Sequence, residues 1–212
     1  MMQARFLTIE GIEGVGKSTQ VARLSAALAQ RGVGHVVTRE PGGTPLAEKI
    51  RQLVLTGEQE PLPSCAELLL MFAARAVHLG NLIEPNLSAG RWVVCDRFTD
   101  ATFAYQGGGR GVDPDHIRQL ESMVQGERRP DLTFLLDAPV ELALARARRR
   151  NGSAHADRFE SERLDFFVRV RSAYLGLAAA EPQRIIVVDA VRSPDAVCAR
   201  MMSILEERAW IS

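Results

Sequence analysis

The pattern of apolar and polar residues along this 212-residue chain switches repeatedly between two periods. Five short segments, 6–10, 34–38, 92–96, 132–137 and 184–189, are almost continuously apolar, as in strands buried on both faces of a parallel sheet. Between them apolar residues recur at helical spacing, for example Val21, Leu24 and Leu28 within 17–30. This alternation predicts a single α/β domain, with a five-stranded parallel sheet flanked by helices in three layers.

The first predicted turn, from strand to helix, has the phosphate-binding pattern of glycine, four residues and Gly-Lys-Ser. Glycines let backbone N–H groups approach an anion closely, and the positive end of the following helix adds to the attraction. A strand before the loop and a helix after it are the context that this motif requires. We therefore predict a site for a nucleoside triphosphate, whose binding residues are Gly11, Ile12, Glu13, Gly14, Val15, Gly16, Lys17 and Ser18. Lys17 is expected to reach the β- and γ-phosphates, and the Ser18 hydroxyl to bind Mg²⁺.

Polar residues follow the predicted strands at their carboxyl ends, where parallel sheets bind ligands. Asp96 and Arg97 end the third strand, so Asp96 is placed to hold Mg²⁺ beside Ser18, directly or through water. Arg97 is placed for a phosphate. Glu40 follows the second strand, and Arg51, on the next helix, could turn towards an acceptor phosphate.

A long predicted helix that begins near Ser64 offers residues for a nucleobase. Phe72 and Arg75 are three residues apart and share a face, so a ring and a guanidinium could hold a base together. Core packing of Phe72 beside a solvated Arg75 is the alternative, and spacing alone favours it. Thr102 and Gln106 add hydrogen-bonding groups after the third strand.

A segment dense in arginine and interrupted by glycine lies at about 146–160. Arginines that swing onto a transferring phosphoryl group can neutralise its charge, so the segment predicts a closing lid. The alternative is a solvated helix end, since cations are favoured near a helix C-terminus.

Composition and charge indicate which classes of binding partner this chain is expected to have. The 26 basic and 26 acidic residues cancel, which argues against a nucleic-acid binder. We expect no apolar run as long as a membrane span, and the N-terminus runs straight into a strand, so we expect neither membrane insertion nor a signal peptide. Cys65, Cys95 and Cys198 are isolated, as in reduced cytoplasmic proteins.

Over essentially its whole length the sequence resembles bacterial thymidylate kinases. The resemblance rests on the glycine loop with Glu13 inside it, Thr38-Arg39-Glu40-Pro41-Gly42-Gly43-Thr44, Leu70-Met71-Phe72-Ala73-Ala74-Arg75, Asp96-Arg97-Phe98, Ala104-Tyr105-Gln106-Gly107-Gly108, Arg129-Pro130-Asp131-Leu132-Thr133 and Asp157-Arg158-Phe159-Glu160. The glycine loop is shared by many ATPases and GTPases, whereas the second, fourth and fifth of these segments together are specific.

This resemblance implies a P-loop NTPase fold of the nucleoside monophosphate kinase type and a cytoplasmic homodimer. The implied reaction is Mg²⁺-dependent transfer of the ATP γ-phosphate to thymidine monophosphate (dTMP). The resemblance assigns the ATP phosphates and the metal to Lys17 and Ser18, and the acceptor phosphate to Arg97 and Arg51. It implies that Glu40 and Asp96 organise metal, water and phosphate, that Tyr105 belongs to the substrate pocket, and that Arg75, Thr102 and Gln106 contact the thymine edge. Within the lid it assigns catalysis to Arg148 and Arg150.

Two departures from the family pattern leave questions open. The family's stacking phenylalanine is replaced by Met71, and Phe72 comes one residue later, so either side chain could pack on the base. The lid is also longer around 152–155, which leaves its catalytic arginine undecided. The rival functions are a kinase for another nucleoside monophosphate, and a nucleotide-switched binding protein, although the Asn-Lys-x-Asp signature of the latter is absent.

Overall fold

The computed structural model of the protein describes residues 3–56, 61–151 and 162–211, without the side chains of residues 150 and 151. Its centre is a sheet of five strands, β1 (Phe6–Glu10), β2 (His35–Arg39), β3 (Trp92–Asp96), β4 (Leu132–Asp137) and β5 (Ile185–Asp189). All neighbouring strands are parallel, in the order β2-β3-β1-β4-β5. The predicted α/β fold with a five-stranded parallel sheet is confirmed, with β2 displaced by one residue from its predicted bounds.

Helices connect and flank these strands. They are α1 (Lys17–Gln30), α2 (Pro45–Thr56), α3 (Ser64–His78), α4 (Glu84–Ser88), α5 (Thr99–Thr102), α6 (Pro114–Gln125), α7 (Val140–Asn151), α8 (Leu164–Ala180) and α9 (Pro194–Glu207). Two π-helical segments, Leu79–Ile83 and Phe103–Gly109, join α3 to α4 and continue α5. The second of these packs against α8.

The hydrophobic core divides along the sheet because successive strand residues point to opposite faces. On β1, Leu7 belongs to the larger cluster with Leu24 and Phe134, whereas the neighbouring Phe6 belongs to a second cluster. There the Phe6 ring meets Phe98 edge to face, with centroids 4.9 Å apart. The central strands are therefore covered on both faces, which fixes the positions of the residues that follow them.

One apolar helical stretch is longer than the sequence analysis expected. Residues Ser64–Ser88 form 25 continuous helical residues, and 18 consecutive residues within them have a mean hydropathy of 1.4, long and apolar enough to cross a membrane. The expectation that no such run exists is wrong on length and composition. Both are weak evidence, because core helices of soluble proteins also have these properties, and half of those 18 residues are buried inside the protein.

Candidate active site

The glycine loop is held in a conformation that only glycine adopts easily. Gly11, Gly14 and Gly16 have φ values of 132°, 78° and 98°. A Cβ atom on Gly14 would lie 1.8 Å from the carbonyl oxygen of Ala143, and one on Gly11 would lie 2.4 Å from that of Leu136. The loop thus packs directly on the end of β4 and on α7, and Gly16 leads into the N-terminus of α1. Its backbone is arranged as an anion-binding loop requires.

Lys17 and Ser18 begin α1 beside this loop. The Lys17 ammonium donates to the carbonyl oxygens of Gly11 at 3.0 Å and Ile12 at 2.9 Å. Burial and, to a smaller extent, the nearby Arg97 guanidinium lower the pKa of Lys17 to about 8. The Ser18 hydroxyl lies 3.5 Å from Oδ2 of Asp96. The structure therefore brings the predicted metal-binding pair together, at the edge of a cavity of about 1510 Å³.

A second cavity, of about 580 Å³, lies beside the first. Its walls contain all of the predicted substrate-binding residues except Phe72, namely Glu40, Arg51, Met71, Arg75, Arg97, Thr102, Tyr105 and Gln106. Four residues line both cavities: Glu13, Glu40, Arg51 and Arg97. A ligand in the second cavity would therefore face a phosphate group held by the glycine loop.

The structure separates Met71 from Phe72. Phe72 is 2% exposed and packs in a cluster with Leu68 and Ile117. Met71 lies on the same face of α3 as Arg75, four residues away, and lines the second cavity. The guanidinium of Arg75 nevertheless contacts the Phe72 ring, 4.7 Å from its centroid. Met71, and not Phe72, is thus the side chain that lines the cavity.

Arg75 is buried rather than solvated, contrary to the simpler of the two expectations for it. Its Nε donates to Oε2 of Glu40 at 2.7 Å, and its Nη2 donates to the Thr102 hydroxyl at 2.9 Å. Its Nη1 is buried and has no hydrogen-bond partner among the described residues. Since Arg75 lines the second cavity, a donor without a partner among the described residues lies in the wall of that cavity.

Glu40 is held from its other side by His78, which the sequence analysis did not identify. His78 Nδ1 lies 2.9 Å from Oε1 of Glu40, and its Nε2 lies 2.7 Å from the hydroxyl of Thr38. His78 is fully buried and lies three residues after Arg75, so helical spacing places both on one face of α3. That spacing was the available signal for this residue. Glu40 therefore holds Arg75 in place.

Arg97 lies between the two cavities and donates hydrogen bonds to three side chains. Its Nη2 donates to Oε1 of Glu13 at 2.8 Å and to the Tyr105 hydroxyl at 3.0 Å, and its Nη1 donates to the Tyr174 hydroxyl at 3.2 Å. The Tyr105 hydroxyl in turn donates to Oε2 of Glu13 at 2.6 Å. Arg97 has a φ of 70°, a region that side chains other than glycine adopt at a cost, and such residues cluster at functional sites.

Two buried members of this network were not predicted. Tyr174, on α8, donates to Oε2 of Glu10 at 2.7 Å, while the Phe98 backbone N–H donates to Oε1 at 2.6 Å. Burial and, to a smaller extent, the nearby Asp100 carboxylate raise the pKa of Glu10 to about 8. Glu10 ends β1, so the position of a strand end was a signal for it. Tyr174 has no local signal, because α8 reaches Arg97 only through the fold.

A third cavity, of about 630 Å³, lies on the opposite side of the glycine loop, between Gly14 and Val197. Arg146 and Arg192 line it, and Nη1 of Arg146 donates to the Ala190 carbonyl oxygen at 2.8 Å. Arg146 begins the predicted lid. In the structure its guanidinium is hydrogen-bonded to the segment that follows β5.

The predicted lid lies mostly outside the described residues. Arg148 and Arg149 are exposed on α7. The side chain of Arg150 and residues 152–160 are not among those that the structure describes.

The order of the parallel strands and the glycine loop after the central strand together define a P-loop nucleotide-binding fold, with a second cavity beside the loop. Comparison with known proteins then identifies its family. A family model described as "Thymidylate kinase" matches residues 9–201. The thymidylate kinase of Chromohalobacter salexigens is 58% identical over 209 residues, which is 98% of each chain. That of Magnetococcus marinus is 48% identical over 211 residues, all of each chain.

A solved structure agrees with these sequence relatives. The crystal structure of thymidylate kinase from Ehrlichia chaffeensis matches with a TM-score of 0.77 at 33% identity, covering 95% of this chain and 98% of that one. The chain therefore belongs to the thymidylate kinase family. The expected family, P-loop kinase fold and enzyme class, a nucleoside monophosphate kinase, are confirmed, and the alternative of a nucleotide-switched binding protein is set aside.

Proposed function

We propose that this enzyme transfers the γ-phosphoryl group of ATP to dTMP in the presence of Mg²⁺, giving dTDP for dTTP biosynthesis. The observation that carries the proposal is the shared wall of the two cavities, formed by Glu13, Glu40, Arg51 and Arg97. In-line phosphoryl transfer needs the donor phosphate and the acceptor phosphate side by side, with cations between them. Two arginines line that wall.

On the donor side, the glycine loop and Lys17 bind the triphosphate, and Ser18 and Asp96 bind the metal. Mg²⁺ is usually held by one or two protein oxygens together with phosphate oxygens and water. The Ser18 hydroxyl and the Asp96 carboxylate, 3.5 Å apart, suit that pattern, although the described residues contain no group of three metal-binding side chains. When bound, the metal neutralises phosphate charge. The third cavity, beside Arg146 and Arg192, receives the nucleoside of ATP.

On the acceptor side, Met71 packs on the thymine ring, while Arg75, Thr102 and Gln106 contact its edge. Arg97 and Arg51 bind the monophosphate. Tyr105 and Glu13 support the Arg97 guanidinium, because both already hydrogen-bond to it. Arg51 is placed by its bond to the Pro41 carbonyl oxygen at 2.8 Å.

The chemistry follows from positioning and from charge neutralisation. An oxygen of the dTMP phosphate is already nucleophilic near neutral pH, so no covalent intermediate with the protein and no strong base are needed. Arg148 and Arg150, at the start of the lid, neutralise the charge on the group being transferred. Closure of the lid excludes water, which would otherwise consume ATP.

We also propose that the protein is a cytoplasmic homodimer that needs no nucleic-acid or membrane partner. Apolar side chains on two neighbouring helices support a dimer surface: Leu69 on α3 is 51% exposed and Met123 on α6 is 81% exposed. Three free cysteines, Cys65, Cys95 and Cys198, suit a reducing compartment. Sedimentation equilibrium of the wild type and of Leu69→Glu tests the dimer, which the charge should weaken.

A coupled assay of ADP release tests the reaction. Mg·ATP is supplied with each of a panel of nucleoside monophosphates, and dTMP should give the highest kcat/KM. Arg97→Ala should abolish acceptor-dependent turnover, whereas Arg118→Ala, an exposed arginine paired with Asp115 on α6, should not. Preference for another monophosphate would overturn the assignment of the base pocket. Turnover that does not depend on any acceptor would overturn the kinase assignment.

A further inference from the structure

A buried carboxylate lies behind the proposed base pocket. Glu67 is fully buried on α3, on the same helical face as Met71 and Arg75, at successive intervals of four residues. It does not line the acceptor cavity. Its Oε1 accepts a hydrogen bond from Nε2 of Gln106 at 2.7 Å, and Gln106 does line that cavity. The hydrogen bond to Gln106 therefore connects Glu67 to the acceptor cavity.

The chemistry of this bond fixes the orientation of the Gln106 amide. A carboxylate accepts hydrogen bonds and donates none, so it must receive the amide NH₂ of Gln106 and never its carbonyl oxygen. The other carboxylate oxygen, Oε2, lies 3.5 Å from Nε of Arg110. Arg110 is itself placed by an ion pair with Glu162 and by the Phe166 ring, 4.9 Å from its guanidinium. The carboxylate thus has a cation at one end and the amide at the other, and Gln106 Oε1 is turned away from it.

Arg75 supplies the complementary group on another wall of the pocket. Its Nε and Nη2 are occupied by Glu40 and Thr102, and Nη1 is left without a partner among the described residues. We take Nη1 of Arg75 as the donor and Oε1 of Gln106 as the acceptor that these two lining residues offer to the edge of a base. Thymine presents a carbonyl oxygen next to an N3–H group, which matches this pair. Cytosine presents an amino group next to a bare N3, which places donor against donor and acceptor against acceptor.

We propose that Glu67 is a positioning residue that determines base specificity: it holds Gln106 with its carbonyl oxygen towards the base and so favours thymine over cytosine. This inference rests on the proposed function, in which dTMP is the acceptor. Arg110 takes part by holding the far end of the Glu67 carboxylate.

Glu67→Gln tests the proposal. A glutamine at this position should turn its carbonyl oxygen to the Arg110 cation and its NH₂ to Gln106. Gln106 must then flip and present its own NH₂ to the base, which matches N3 of cytosine. The kcat/KM for dTMP should fall and that for dCMP should rise, lowering the dTMP-to-dCMP ratio by about a hundredfold, because the match at N3 is reversed while the Arg75 donor still favours the thymine carbonyl oxygen. A folded variant whose ratio stays within about threefold of wild type would overturn the proposal.

Exchanging the two side chains of the pair should restore the preference for dTMP. In Glu67→Gln combined with Gln106→Glu, the new carboxylate accepts from the glutamine NH₂ and again offers only an acceptor to the base, so preference for dTMP should return. The swap keeps the charge and the hydrogen bond of the pair. If the single variant does not fold by circular dichroism, the folded swap decides: retained dTMP preference supports the proposal, and lost preference overturns it.

The control is Glu121→Gln. Glu121 is another buried glutamate; it lies on α6, pairs with Arg129 and does not line the acceptor cavity. Its specificity ratio should equal that of the wild type. The assay also separates two kinds of failure. A wild-type enzyme that does not use dTMP would refute the proposed function. A wild type that prefers dTMP, with an unchanged ratio in folded Glu67→Gln, would refute only the role of Glu67.

Discussion

Substitution of the adjacent residues Met71 and Phe72 should affect different properties: Phe72 should matter for stability and Met71 for substrate binding. Phe72 is 2% exposed within a cluster that includes Leu68 and Ile117, so Phe72→Ala removes a whole buried ring. Such changes cost about 3–5 kcal/mol of unfolding free energy. Loss of the contact with the Arg75 guanidinium adds about 1 kcal/mol. For a chain of this size, the resulting loss of about 4–6 kcal/mol corresponds to a fall of roughly 8–24 °C in melting temperature.

Met71→Ala should act mainly on substrate binding. Met71 borders a cavity on one side, so its removal leaves less unfilled space in the core, and we expect a loss of about 2 kcal/mol, at the low end for such changes. The lost apolar contact with the thymine ring should raise KM for dTMP about tenfold, since 1.4 kcal/mol is a factor of ten. The KM for ATP should stay unchanged.

Two measurements distinguish the roles of the two residues. Thermal melts by circular dichroism report stability, and KM for dTMP at saturating ATP, measured well below the melting temperature, reports substrate binding. Leu68→Ala is the control, because it removes a buried neighbour of Phe72 that does not line the cavity. It should lower the melting temperature and leave KM unchanged. The reasoning fails if Phe72→Ala melts within about 2 °C of wild type while its KM for dTMP rises tenfold or more and Met71→Ala leaves KM as it was.

Three further predictions concern the donor side. Because burial holds the pKa of Lys17 near 8 and bound phosphate should raise it, ATP affinity should fall by up to about tenfold per pH unit above pH 8; equilibrium binding across that range should show this slope in wild type and a flat profile in Lys17→Gln. Arg148→Ala and Arg150→Ala should each be assayed, with at least one lowering kcat by about 10²-fold or more at unchanged ATP affinity; normal turnover in both would remove the lid arginines from the mechanism. Gly14→Ala should prevent folding or lower the melting temperature much more than Gly16→Ala. A Cβ on Gly14 would lie 1.8 Å from a backbone oxygen, whereas nothing lies within 4 Å of a Cβ on Gly16, where the substitution costs only the strain of a positive φ, about 1–2 kcal/mol. Equal melting temperatures of the two variants would contradict this.

The sequence by itself determined the parts of this protein that depend on local order. The five strands were found to within a residue because strands covered on both faces of a sheet are continuously apolar. The glycine loop was found because a tight turn, a close backbone approach and a helix start all act within eight residues, Gly11 to Ser18. The rule that ligands bind at strand ends also placed Asp96 and Arg97, since parallel strands bring their carboxyl ends to one edge.

Only the tertiary structure decided which side chains meet. Whether Met71 or Phe72 faces the pocket depends on how α3 is rotated against its neighbours, and the helical pattern suits both. The bond from Arg75 to Glu40 joins residues 35 positions apart, and that from Arg97 to Tyr174 joins residues 77 apart. No periodicity links such distant positions. Their contacts form because packing of the helices on the sheet buries polar groups that must then find partners in one another.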